Sequence, residues 1–168
     1  LMNRYFLTLS IRRDGYSAFG MENPYATFPS GALAWNLSDE SFFNIKWINN
    51  LKVRASYGIN GNRDIGIYDA LAKLETNKYL TGSTLISGIY SSSLANQYLK
   101  WEKTKALNLG LDFSILNSRL NGSVDYYSMI TNDLLLKRSL PTIIGYDNVM
   151  SNMGELQNKG FEMTLNSY

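Results

Sequence analysis

Cysteine and histidine are both missing from this 168-residue chain. Without cysteine there is no disulfide framework and no thiolate chemistry. Without histidine the commonest metal ligand is gone, and so is the one side chain that titrates near neutrality when unperturbed. No metal site and no cofactor are expected. Charge is scarce too. Asp, Glu, Lys and Arg make up 18% of the residues, below the roughly 25% of ordinary soluble domains. Formal net charge is +2, and the charges are scattered, so no basic stripe points to nucleic acid. No apolar run reaches the ~18 residues of a transmembrane helix. That leaves a membrane β-barrel open, because its lipid-facing residues are interleaved with polar ones. No secretory leader is expected at the start of the chain. Residues 1–5 already read as strand, so the chain is expected to begin inside a longer protein.

Aromatic side chains, by contrast, are plentiful. They make up 13% of the sequence, with 12 Tyr and 3 Trp. Low charge with abundant tyrosine suits the interfacial girdles of a membrane barrel. It equally suits a carbohydrate-binding β-domain.

The clearest pattern lies between Trp101 and Thr131. Leu107, Leu109, Leu111, Phe113 and Ile115 alternate with Asn108, Gly110, Asp112 and Ser114. After a break at Asn117-Ser118, alternation resumes through Leu120, Val124, Tyr126 and Ile130 against Asn121, Ser123, Asp125 and Tyr127. A period of two marks strands with one apolar and one polar face, and a turn between two such runs makes a hairpin. Each arm is as long as the about 9–11 residues that a tilted strand needs to cross a bilayer. The polar face is built of small and hydrogen-bonding groups, which suits a wet barrel interior. A soluble sandwich, apolar side inward, fits the same alternation.

Five further strands are expected at 4–13, 26–37, 51–58, 149–157 and 161–167, giving an antiparallel meander of about seven. Pro29 is expected near a strand end or bulge. Ser38 or Asp39 is expected to cap a single helical turn. Asn158-Lys159-Gly160 reads as a tight turn. Residues 59–100 and 132–148 read as long, irregular connections. Long connectors (14–25, 59–100, 132–148) then alternate with compact ones (38–50, 116–118, 158–160). Outer-membrane barrels segregate loop length in this way, whereas a sandwich has no reason to. The charges agree: Arg12, Lys52 and Arg54 fall in the polar register, and Lys105 lies near a strand end where it can snorkel. An odd number of strands does not close a bacterial barrel, so the chain reads as a segment whose edges pair with strands outside it.

Candidate ligand contacts are long-loop aromatics and inward polar groups: Tyr16, Phe19, Tyr68, Tyr79, Tyr90, Trp101, Arg12 and Arg54. The plainer reading is that the aromatics pack loops together or sit in a girdle, and that the arginines pair with Asp112, Asp125 or Glu162. An enzyme is not expected. A turn centred near 117 places Asp112 opposite residue 122, so Asp112 and Asp125 are not set up as a catalytic pair.

Several motifs, in order, resemble the SusC/RagA-type TonB-dependent outer-membrane transporters. They are R-R-D-G at 12–15 with Phe19-Gly20, T-F-P-S at 27–30 before Ala34-Trp35, and L-K-V-R-A-S-Y-G at 51–58 with Asn60-Gly61-Asn62. They continue with L-K-W-E-K-T at 99–104, N-L-G-L-D-F at 108–113, D-Y-Y-S at 125–128 and T-N-D-L-L at 131–135. The last are L-P at 140–141 with Gly145, and N-x-G-E-L-x-N-K-G-F-E at 152–162. Each is weak alone; together they span nearly the whole chain. The resemblance implies a plugged barrel of roughly 22 strands, in the outer membrane of a Gram-negative bacterium. It implies import of oligosaccharides or peptides captured by a SusD-like lipoprotein and energised by TonB. Residues 1–168 would be one segment of the C-terminal half of the barrel, surrounded by outer-membrane lipid, without the plug, TonB box or signal peptide. The resemblance implies no catalytic residue. The alternative is a soluble glycan-binding β-sandwich.

Overall fold

The computed structural model describes residues 4–19 and 22–168, apart from the Thr142 side chain. Leu1 to Asn3 and Gly20, used above, lie outside the described residues. Eleven strands form: β1 Tyr5–Gly15, β2 Tyr25–Asn36, β3 Ile48–Asn62, β4 Leu74–Thr81, β5 Thr84–Ser91, β6 Ser93–Leu94, β7 Glu102–Ile115, β8 Leu120–Asn132, β9 Leu135–Ser139, β10 Asn148–Asn152 and β11 Glu155–Ser167. Six of them make one antiparallel wall in the order β1-β2-β3-β7-β8-β11. The wall strands run from 11 to 15 residues.

Register turns the alternation of single strands into two continuous faces. Leu7 lies opposite Leu33, Leu33 opposite Ala55, Ala55 opposite Leu109, Leu109 opposite Tyr126, and Tyr126 opposite Phe161. This row and its neighbours make one apolar face. The other face carries Thr8, Ala32, Ser56, Asn108, Tyr127 and Gly160 at the adjacent level. No second sheet covers the apolar face among the described residues: Leu9 is 75% exposed, Ile11 76% and Phe161 78%. A soluble sandwich would bury that face against a partner sheet. The sandwich alternative is therefore set aside, and the structure is one curved layer of barrel wall.

The short-turn end is held by local chemistry. The β7–β8 connection, residues 116–119, places Leu116, Asn117 and Ser118 at φ of 57°, 58° and 62°. Left-handed backbone at three successive non-glycine residues needs support. Here Leu116 N–H donates to the Trp47 carbonyl at 3.0 Å, Ser118 N–H to Asn49 Oδ1 at 3.0 Å, and Asn121 Nδ2 to the Ser118 carbonyl at 2.8 Å. Because the turn runs to 119, Asp112 pairs with Ser123 rather than residue 122. The 3-10 turn Leu37–Asp39 forms after Asn36, but no side chain caps its N-terminus. Instead Glu40 clips the turn to the wall. Its carboxylate accepts from Trp35 Nε1 at 3.0 Å and from the Tyr5 hydroxyl, and pairs with Arg4 at 3.2 Å.

Three expectations change. Asn158-Lys159-Gly160 is not a turn: it pairs with Met129, Ser128 and Tyr127 in the middle of β11. The glycine marks close approach, since a Cβ there would lie 2.8 Å from the Tyr127 hydroxyl. Lys159 consequently stands on the apolar register opposite Ser128, in the half of β11 nearer the loops, where its long stem can carry the ammonium to the rim. Pro29 lies within β2 rather than at its end. Asn36 N–H donates to the Arg4 carbonyl, so by alternation the odd residues of β2 point their N–H toward β3. The β2–β3 pairing stops at Ser30, so Pro29 has no bond to lose. The long connections are also not irregular. Residues 63–101 hold the hairpin β4–β5, and β6, β9 and β10 form a three-stranded sheet that joins the two long loops. Residues 149–152 belong to that sheet and not to the wall.

Candidate functional site

On the polar face, the spacing of β3, β7 and β8 brings three charges together. Lys52 lies opposite Asp112, Arg54 opposite Gly110, and Gly110 opposite Asp125. Arg54 makes a fork with Asp112, 2.8 Å from Nε and 2.7 Å from Nη2, and Nη2 reaches Asp125 Oδ1 at 2.9 Å. Gly110 is the floor of this network. A Cβ there would lie 2.5 Å from Asp125 Oδ1 and 2.7 Å from Arg54 Cζ. With a guanidinium bonded to both, the two aspartates are not poised as acid and base. The network ties three strands in register and borders an open cleft of about 610 Å³ with Asn108, Tyr127 and Glu162.

At the long-loop end sits the one apolar core of the described residues: Phe19, Ala26, Phe28, Ala70, Leu99 and Trp101. Trp101 is its centre. Its ring lies 5.3 Å from Phe19, 5.5 Å from Phe28 and 6.4 Å from Tyr16, all edge-on. The Phe28 ring lies against the backbone at Gly61, where a Cβ would overlap it. The Trp101 indole N–H is buried without a hydrogen-bond partner among the described residues. Two arginines border this core and a third lies on the other face. Arg12 lies over Phe28 at 5.4 Å and pairs with Asp14 at 2.9 Å; Arg63 lies over Tyr16 at 4.5 Å; Arg13 lies over Tyr25 at 5.1 Å.

The two long loops interlock above the core. Asn152 Nδ2 donates to the carbonyls of Lys100 and Asp133, and Asn96 Nδ2 to that of Met150. The Tyr90 hydroxyl lies 3.3 Å from Asp147 and 3.5 Å from Glu75. Partial desolvation, then these carboxylates, raise it above its ordinary pKa. Asp69 is lowered by its bond to Lys73 and by the Gly66 N–H. Tyr68 and Tyr79 are exposed.

The expected site residues thus divide. Tyr16, Phe19, Trp101 and Arg12 come together; Arg54 belongs to the wall network; Tyr68, Tyr79 and Tyr90 spread over the 63–101 loop. Arg54 pairs with two of the three acids expected of it, whereas Arg12 takes Asp14 instead. Sequence reasoning missed Arg13, Arg63 and Phe28. Arg63 follows Asn60-Gly61-Asn62, which fell in the long connection expected at 59–100 but lies inside β3, and nothing local signals that the Arg63 guanidinium would meet Tyr16.

A single-layer antiparallel wall with an apolar outer face, a charged inner face and a folded loop cap defines a segment of a transmembrane β-barrel. The chain belongs to the TonB-dependent receptor family: the family description "TonB dependent receptor-like, beta-barrel" matches residues 1–168. The TonB-dependent receptor P3 of Formosa agariphila is 44% identical over 98% of the chain and 17% of its own length. The TonB-dependent receptor SusC of Bacteroides thetaiotaomicron is 38% identical over 99% of the chain and 17% of its own. The structure of the RagAB peptide transporter superposes with a TM-score of 0.84 at 31% identity, over 98% of this chain and 18% of that one. The siderophore receptor PirA of Pseudomonas aeruginosa shares the fold, with a TM-score of 0.61 at 17% identity over 97% of this chain and 28% of its own. The chain therefore spans about a sixth of the length of its curated relatives. The family is one of outer-membrane transport receptors and not a known enzyme family.

Proposed function

We propose that this chain supplies wall and extracellular loops to an outer-membrane importer of oligosaccharides or peptides in a Gram-negative bacterium. The observation that carries this reading is the continuous apolar face without a covering layer, opposite a charged face, with the long connections at one end. Lipid is the partner of the apolar face. A SusD-like lipoprotein at the loops, and TonB acting through parts of the parent protein outside this segment, complete the assembly. The resemblance of the loops and wall to RagAB and SusC supports that choice of partners. Of the residues expected to touch ligand, Tyr16, Tyr68, Tyr79, Tyr90, Arg12 and Arg54 are the proposed contacts, while Phe19 and Trp101 are buried in the core that supports them. No nucleic acid, metal or cofactor is invoked.

The test is the native parent protein in outer-membrane extract, run on an SDS gel with and without boiling. A band that fractionates with the outer membrane and shifts on boiling is expected of a closed barrel. A protein that is soluble without detergent and shows no shift overturns the reading.

A further inference from the structure

The long-loop end holds a group of cations of which the import reading gives a task only to Arg12. Arg12, Arg13 and Arg63 border one open cleft of about 550 Å³ with Asp14, Asn62 and Trp101. They reach it from β1 and from the residue just after β3, strands that β2 separates in the wall. Only Arg12 is neutralised, by Asp14 at 2.9 Å. Arg13 and Arg63 make no ion pair among the described residues. Glu102, a nearby acid, is engaged by Asn62 Nδ2 and by the Leu135 N–H. Arg13 shares the odd register of Ile11 and lies over Tyr25, so its guanidinium turns to the other face, and the guanidiniums of Arg12 and Arg63 against the carboxylate of Asp14 give the cleft the positive potential that draws anions.

These guanidiniums are also held in place. Arg63 lies 4.5 Å over Tyr16, Arg13 5.1 Å over Tyr25 and Arg12 5.4 Å over Phe28. Stacking occupies the face of a guanidinium and leaves its N–H edge free, and that edge is the part that forks onto a carboxylate. The supporting rings are fixed in turn. Tyr16 packs edge-on against Phe19 and its hydroxyl donates to the Ile65 carbonyl at 3.3 Å; Phe28 packs against Trp101. A charged donor pre-set on a rigid support loses little freedom on binding.

We infer that this cleft captures the carboxylates of an acidic peptide as it enters the barrel. The inference rests on the import reading and takes its peptide branch. The Arg63 fork and the Nη edge of Arg12, whose Nε takes Asp14, reach the cleft from separate segments of the wall, which matches carboxylates borne on separate flexible side chains better than carboxylates fixed to one rigid sugar chain. Arg63 is the principal contact, and Arg12 is shared with Asp14.

The test uses the full-length parent transporter in detergent and fluorescence anisotropy with labelled hexaglutamate and hexaglutamine peptides. Hexaglutamate is expected to bind more tightly and to weaken as salt is added. Arg63→Gln is expected to weaken it about tenfold, the loss of one charge-assisted contact, and Arg63→Lys by less; hexaglutamine binding stays unchanged. Equal binding of the two peptides by the unmodified transporter overturns the inference without any variant. So does an equal effect of Arg63→Gln on both. Arg63-dependent binding of a galacturonate hexamer with no response to hexaglutamate overturns it in favour of an acidic oligosaccharide. Failure of the import reading looks different: the parent shows no heat shift and is absent from the outer membrane, whatever the peptide charge.

Discussion

At the scale of single residues, neighbours in sequence meet opposite solvents. Leu109 is 45% exposed on the apolar face, between Ala55 and Tyr126. Asn108, beside it, lies with Arg54 and Ser56 on the charged face. An arginine facing lipid near the midplane costs about 2–4 kcal/mol, and one facing the lumen far less. Leu109→Arg should therefore reduce the heat-shifting fraction of the full-length protein in the membrane, while Asn108→Arg assembles normally. Equal yields for the two variants would show that the faces are assigned wrongly. Such residues were legible from alternation alone. Arg63 and Phe28 were not, because their partners Tyr16 and Trp101 lie far away in the chain and no local pattern pairs them.

At the scale of elements, the turn after β2 is fixed to the wall by one carboxylate. The Tyr5 hydroxyl first, then Trp35 Nε1 and Arg4, hold Glu40 below its ordinary value of 4.5. A carboxylate lowered in this way stabilises the folded turn above its unfolded pKa. That contribution is lost as pH falls from about 4.5 through the lower folded value. Protection of the amides in residues 37–47 against exchange, with the intrinsic pH dependence divided out, is thus expected to be flat near neutrality and to fall on acidification below that point. Glu40→Gln should remove the acid dependence of this protection and leave it low throughout; an unchanged acid profile in that variant would exclude the clip. Elements also show where sequence patterns mislead. Glycine within two residues of asparagine ordinarily signals a turn, yet Gly61 and Gly160 sit inside strands with the rings of Phe28 and Tyr127 against them. The missing side chain served a cross-strand ring instead of a bend, and the two uses look alike in one dimension.

At the scale of the whole molecule, the layer is incomplete by itself. Within the described residues β1 and β11 each have one wall neighbour, and the apolar face has none. Open strand edges are templates for association. The 168-residue chain produced alone is expected to associate in water and to stay dispersed only in detergent, as read by light scattering. A monodisperse, detergent-free monomer would contradict the single-layer architecture.

Sequence alone determined the membrane-length strands, their two-faced character and the hairpin about residue 117. It did so because a period of two depends only on neighbouring residues and the solvent each side must meet. The missing histidine and cysteine and the ordered motifs narrowed the class further. Tertiary structure alone decided the fold of the loops, the union of β6, β9 and β10, and the meeting of Arg12 and Arg63 beside Trp101. Those contacts join segments tens of residues apart. Their energy comes from burial and charge proximity that only the register of the wall creates.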